Sequence, residues 1–176
     1  MNSTPKLPNR MQARPTYLLL LASITFWCLG FVVAPLLVEY PIAMNLRQLY
    51  GTVCHQLDAH SFHLDGSPLA VCIRCSALYG GFLIGTLLVP FVRGVKIRFL
   101  RSRYAIPLLV IPMLLDGAAT WIIPGYASTD LSRLLSGGLF GIATALILVP
   151  LFLTAVRQIT DPHSPYSMYH KRGDPA

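Results

Sequence analysis

The residues able to do chemistry cluster in one stretch. It reads Cys54-His55-Gln56, then Cys72-Ile73-Arg74-Cys75, with His60 and His63 between. Two cysteines three positions apart can point at one centre, and a third cysteine with a histidine can complete a tetrahedron around it. Cys54, His55, Cys72 and Cys75 make a Cys3His set, a common zinc arrangement; thiolates and imidazole also hold copper(I) and iron. His60 or His63 is an alternative fourth ligand. On an oxidising face the same residues permit two other chemistries. Cys72 and Cys75 can form a redox disulfide with Cys54 as resolving thiol, the exposed N–H groups at the start of the following helix lowering the thiolate pKa. A structural disulfide from Cys54 to Cys72 or Cys75 would instead close the loop and leave one thiol over. The spacing alone leaves these three readings open. Cys28 lies inside an apolar run, where a cysteine acts as a small core hydrophobe.

A second set of polar residues brackets this stretch. Asp116 interrupts an apolar run. An ionisable group at that depth costs about 2.5–3.5 kcal/mol on insertion scales, so it is expected to face the bundle interior with a partner. Arg74 and Arg133 are the nearest candidates. Asp130 either joins this polar site or caps the last helix. Gln56 and Arg74 sit beside the cysteines and complete the expected site.

Four apolar runs must position these groups: Tyr17–Val38, Ser76–Val92, Ala105–Ile123 and Leu134–Val156. Each has the roughly 17–25 residues that cross about 30 Å of hydrocarbon as helix. The first is too long for a secretory signal and is read as a retained helix. Pro35, Pro90, Pro107, Pro112 and Pro150 fall inside these runs, which membrane helices tolerate because neighbours re-satisfy the freed carbonyls. Gly81 with Gly85, and Gly137 with Gly141, are small-xxx-small pairs suited to close helix approach. The expected fold is all-α: an integral membrane bundle of four transmembrane helices with one long outer loop. Segment 1–16 is a cytoplasmic N-terminal stretch, 17–156 the membrane domain with its Cys/His loop at 39–75, and 157–176 a cytoplasmic tail. Within the loop, Ile42, Leu46 and Leu49 have helical spacing and suit an interfacial helix.

Composition agrees. Charged residues make up 12% against 54% in the hydrophobic set, and the mean hydropathy is +0.58. A soluble domain carries about 25% charged residues. The net charge of +7 is topological: eleven of the fourteen Lys and Arg fall in segments on one side of the runs, leaving Arg47, Arg74 and Arg133 on the other. The positive-inside rule then places both termini in the cytoplasm, making this a multi-pass protein of the plasma (inner) membrane. The expected partner is the lipid bilayer, with no nucleic acid. The glycine-bearing helix faces also permit a homo-oligomer or a place as accessory subunit of a larger membrane complex. There is no Gly-x-Ser-x-Gly, His-Glu-x-x-His or phosphate-cradling loop.

The combination of Cys54-His55-Gln56, Ser61-Phe62 and Val71-Cys72-Ile73-Arg74-Cys75-Ser76-Ala77-Leu78-Tyr79-Gly80-Gly81 resembles a prokaryotic membrane family, domain of unknown function 2085. The resemblance extends to Asp116-Gly117 and to the stretch from Ser128 to Gly137. His60 stands where the family usually has arginine, Ser76-Ala77 replaces Thr-Gly, and Asp130 replaces Asn. The resemblance implies a class and no activity. The chain is also similar in outline to quinone-linked membrane disulfide oxidases, which carry a Cys-x-x-Cys at the outer start of their second helix. Those enzymes have a second cysteine pair in their second outer loop, and the corresponding residues here, Pro124 to Arg133, include none. Quinone is therefore an expected cofactor only under the redox reading.

Overall fold

The computed structural model describes residues 14–92, 105–122 and 128–160, which are mostly helical. Residues 1–13, 93–104, 123–127 and 161–176, which include most of the expected segments 1–16 and 157–176 and the basic segment from Arg93 to Arg103, lie outside the described residues. Helix α1 spans Arg14–Val33, α2 Pro41–Gly51, α3 Ile73–Val92, α4 Ala105–Ile122 and α5 Asp130–Thr160. Pro15–Leu37, Ile73–Val92 and Asp130–Thr160 are long and apolar enough to cross a membrane. Their large side chains face outward: Phe26 and Phe91 are each 80% exposed, as suits contact with lipid rather than water.

The first apolar run does not remain α-helical to Val38. Pro35 has no N–H to donate, and the chain tightens into a 3-10 turn at Ala34–Leu37. The second begins one residue beyond Cys72, whose carbonyl accepts the Ser76 N–H at 2.9 Å. The fourth starts earlier than its apolar run, because Thr129 caps it. The Thr129 hydroxyl accepts the Ser132 N–H at 3.2 Å, so the cap role considered for Asp130 falls to its neighbour.

Pairwise contacts set the helix directions. The Tyr17 hydroxyl donates to the Thr86 carbonyl at 3.1 Å, and the Cys28 thiol to the Tyr79 carbonyl at 3.7 Å, so α1 and α3 are antiparallel. The first of these bonds has a clear cause. Pro90 lies inside α3 and cannot donate to the carbonyl four residues back, which is that of Thr86. Tyr17 fills the gap from the neighbouring helix.

Helices α3 and α5 pack closely and run parallel. A methyl group on Gly141 would strike the Leu78 carbonyl, and one on Gly81 would strike Gly138. The two glycine pairs seen in the sequence are therefore the surfaces on which the two backbones touch. Helix α4 runs the other way, since Asp116 near its C-terminal end meets Arg74 at the start of α3 and Ser132 at the start of α5.

Between α1 and α3, α2 presents Ala43 and Tyr50 inward while Ile42 and Leu49 are exposed. A two-stranded hairpin follows, β1 His63–Leu64 with β2 Ser67–Pro68. Asp65 and Gly66 form its turn with φ of 52° and 76°, the left-handed pair that a two-residue hairpin loop requires. The sequence reading had not separated out this hairpin.

Candidate metal centre

The start of α3 and the end of the loop bring three cysteines together. The sulfurs of Cys54, Cys72 and Cys75 all lie within 4.8 Å of one another, and no disulfide joins any of them. A zinc–sulfur bond is about 2.3 Å, which sets thiolates about 3.8 Å apart around one ion. Closure by at most about 1 Å completes a metal-binding geometry.

Local structure explains the convergence. Cys72 precedes α3 and Cys75 sits in its first turn, so both occupy the end where the helix leaves N–H groups unpaired. Cys54 follows α2, whose end is fixed by Tyr50. The Tyr50 hydroxyl donates to the Trp27 carbonyl at 2.7 Å, and its ring meets Trp27 edge-on with centroids 4.8 Å apart. Burial pushes the Tyr50 phenol above its usual pKa and so keeps it a donor. Phe31, Ala70 and Val71 pack around the same point, with Trp27, Tyr79 and Leu83 at its edge. Cys28 also lies in this cluster, as the packing hydrophobe that its sequence position implied.

Gln56 proves to be a clamp. Its side-chain amide donates to the carbonyls of Arg47 and Ala70, each at 2.7 Å, joining the end of α2 to the segment leading into Cys72. Its backbone takes a left-handed φ of 49°. The Cys72 N–H points at the Cys54 sulfur at 3.2 Å. Hydrogen bonds from the Cys72 and Cys75 thiols, then from the Cys72 and Gln56 backbones, outweigh burial and hold the Cys54 thiol well below the ordinary range. These donors favour the thiolate form of Cys54, the form that binds metal.

The expected histidines do not join this group. His55 is exposed and outside the sulfur cluster. His60 turns to α5, its Nε2 lying 3.5 Å from an Arg133 guanidinium nitrogen, and His63 pairs with Asp58 at 3.2 Å. A fourth ligand from this loop depended on its path, which the hairpin and the 3-10 turn at Asp58–His60 direct elsewhere.

The second polar set divides in two. Arg74 pairs with Asp116, which also accepts the Ser132 hydroxyl; both partners are largely buried. Arg133 is buried and donates to the Ser128 hydroxyl at 2.7 Å, with exposed Asp130 at 3.6 Å. Arg74, not Arg133, is therefore the partner of Asp116. Ser128 and Ser132 carry no signal in the sequence beyond their place in a hydroxyl-rich run just before Arg133.

Residues 54–147 match a protein family described as a predicted membrane protein, DUF2085. The chain belongs to this family. The matched segment begins at Cys54 and contains all three clustered cysteines and the Arg74–Asp116 pair, so the family's shared region is the region of the site. Over 148 residues the chain is 27% identical to an uncharacterised protein of Methanocaldococcus jannaschii, covering 80% of this chain and 94% of that relative. No solved structure matches the chain.

Proposed function

We propose that this is a plasma-membrane protein of four spans, both termini cytoplasmic, that holds one metal ion on Cys54, Cys72 and Cys75 at its extracytoplasmic face. Zinc suits the site best, with copper(I) or iron as alternatives. The observation that carries the reading is the convergence of three sulfurs, one of them buried and receiving a backbone N–H. The metal would fix the loop onto the ends of α1 and α3. The backbone and thiol donors around Cys54 favour its thiolate, the form that would bind the ion.

The four-span reading rests on helix direction. Parallel neighbours that both cross a bilayer need a return crossing between them. Helices α3 and α5 are parallel, and α4, 18 residues or about 27 Å long, lies between them in sequence and runs the opposite way. The basic segments before α1, after α3 and after α5 then share the cytoplasmic side. The domain limits at 16 and 156 follow this topology.

The test is elemental analysis of the purified full-length protein beside a thiol count on the same sample. One metal per chain is expected, retained by the wild type and by Cys28→Ala and lost from Cys54→Ser.

A second reading uses the same residues for redox chemistry. Cys72 immediately precedes α3 and Cys75 lies in its first turn, a Cys-x-x-Cys placed at a helix start as in thiol–disulfide proteins. About one turn beyond Cys75 along α3, a groove of about 420 Å³ lined by Trp27, Tyr79, Phe82 and Thr144 would take an isoprenoid quinone. Two thiols would become a disulfide, passing two electrons and two protons to the quinone. Thiol trapping that finds a Cys72–Cys75 couple cycling with respiratory state would favour this reading over the metal.

A further inference from the structure

We infer that α2 is embedded in the bilayer leaflet at the cysteine end of the bundle, with Ile42, Leu49 and Val53 against lipid acyl chains. The inference rests on the membrane-spanning reading of α1 and α3, and neither on the metal nor on the side where the termini lie.

Helical periodicity divides α2 and the turn after it into stripes. Ala43, Leu46 and Tyr50 turn inward: Ala43 and Tyr50 are buried, and Leu46 packs against the core around the cysteines. Asn45, Gln48 and Thr52 form an exposed polar stripe. Ile42, Leu49 and Val53 fall on one side of the helix, beside the inward stripe, and each is half-exposed. A helix lying on a water-covered surface needs one apolar face, the one against its own protein. This helix has a second, which the bundle leaves open.

Depth decides what covers it. The apolar span of α1 continues to Leu37. The Tyr50 ring meets those of Trp27 and Phe31, with centroids 4.8 and 5.9 Å away, and its hydroxyl lies over Gly30, where a methyl group would strike it. Trp27 and Phe31 stand about 9–15 Å inside the end of the span at 1.5 Å per residue. On the other neighbour, Cys54 meets Cys72 and Cys75, where the span Ile73–Val92 begins. The chain therefore turns at Pro41 and descends again along α1, and Leu49 and Val53 flank a residue sunk below the end of that helix. Over the same depth α1 turns Leu29, Val32 and Leu36 outward, and the lipid that covers them reaches the stripe on α2. Tyr40 is exposed at the N-cap of α2, where the chain re-enters, and tyrosine settles at the level of lipid headgroups.

A protein partner fits this stripe less well. Three half-exposed side chains bordered by a polar stripe fall far short of the roughly 20–30 residues a side of a stable protein interface, whereas acyl chains cover narrow apolar strips of an interfacial helix. Anchored in this way, α2 holds Cys54 at the membrane surface.

Photocrosslinking reads the surroundings of each stripe. The probe p-benzoylphenylalanine is placed singly at Ile42, Leu49, Val53, Asn45 or Gln48, and at Phe26 on the exposed face of α1, in the full-length protein reconstituted in phosphatidylcholine vesicles. All of these positions are exposed, so the probe displaces no packing. Mass spectrometry identifies the adducts. Lipid adducts are expected at Phe26 and at the apolar stripe, there at least about tenfold more often than at Asn45 and Gln48, because the preference of one apolar side chain for hydrocarbon is worth that much. Lipid adducts at Phe26 with none at Ile42, Leu49 and Val53, or with equal yields from the two stripes, would overturn the inference and leave the spans standing. Adducts from the apolar stripe to a second protein chain would overturn it in favour of a protein partner. Absence of lipid adducts at Phe26 would remove the spanning reading of α1, and the inference with it.

Discussion

Asp116 offers the sharpest test of how this bundle is held together. In Asp116→Ala the Arg74 guanidinium loses its counter-charge and Ser132 loses its acceptor. Breaking a buried ion pair by removing one partner costs about 3–5 kcal/mol, because the remaining charge is stranded. The Arg74 side chain keeps 23% exposure, against 11% for Asp116, so some water can reach it and the lower end of that range applies. Loss of the Ser132 bond adds about 1 kcal/mol. A destabilisation of about 3–4 kcal/mol is expected, a shift of at least about a hundredfold in the folding equilibrium. Reversible unfolding in mixed detergent–SDS micelles, followed by circular dichroism, measures it. Replacing both partners in Arg74→Met/Asp116→Leu removes the stranded charge and should recover to within about 1 kcal/mol of the wild type. If Asp116→Ala unfolds within about 0.5 kcal/mol of the wild type, or the double variant is worse than the single, the pair does not hold α4 to α3 and α5 as described.

Three further outcomes follow from particular contacts. Tyr17→Phe should strand the Thr86 carbonyl and cost about 1–3 kcal/mol in the same unfolding assay, whereas Pro90→Ala restores the helical donor and should make the Tyr17 substitution nearly silent. Gly141→Val drives a side chain into the Leu78 carbonyl and should cost at least about 1–3 kcal/mol, with reduced yield of folded protein in detergent. Gln56→Ala removes both bonds of the clamp; metal content at saturating zinc should persist while competition with a chelator shows affinity falling by about tenfold or more, since remote ligand-orienting groups act on that scale.

Much of this architecture was readable in advance. Apolar run length locates α1, α3 and α5, because a chain in lipid must pair its own backbone groups. The sequence also pointed to the glycine pairs, but not to their partners, since which helix approaches a small-residue face is a tertiary matter. Helix ends were less legible. Pro35 ends α1 early, and α5 begins before its apolar run because Thr129 supplies a cap that hydropathy does not register. At the site, the three cysteines came together, as their spacing allowed, while the histidines did not. His60 answers to Arg133, more than seventy residues later in the chain, and no local pattern carries that contact. The hairpin that redirects the loop was signalled by Asp65-Gly66, a turn pair overlooked beside the more conspicuous cysteines. Gln56 was read as a polar neighbour of the site, and its role as a clamp depends on carbonyls that only the folded loop presents to it.

Metal content measured together with thiol accessibility tests the central claim most directly. The account predicts one zinc, copper or iron per chain, with Cys54, Cys72 and Cys75 shielded from alkylation until a chelator is added, and Cys54→Ser lacking both metal and shielding. A protein that carries no stoichiometric metal, with these cysteines oxidised to a disulfide as isolated, would contradict it.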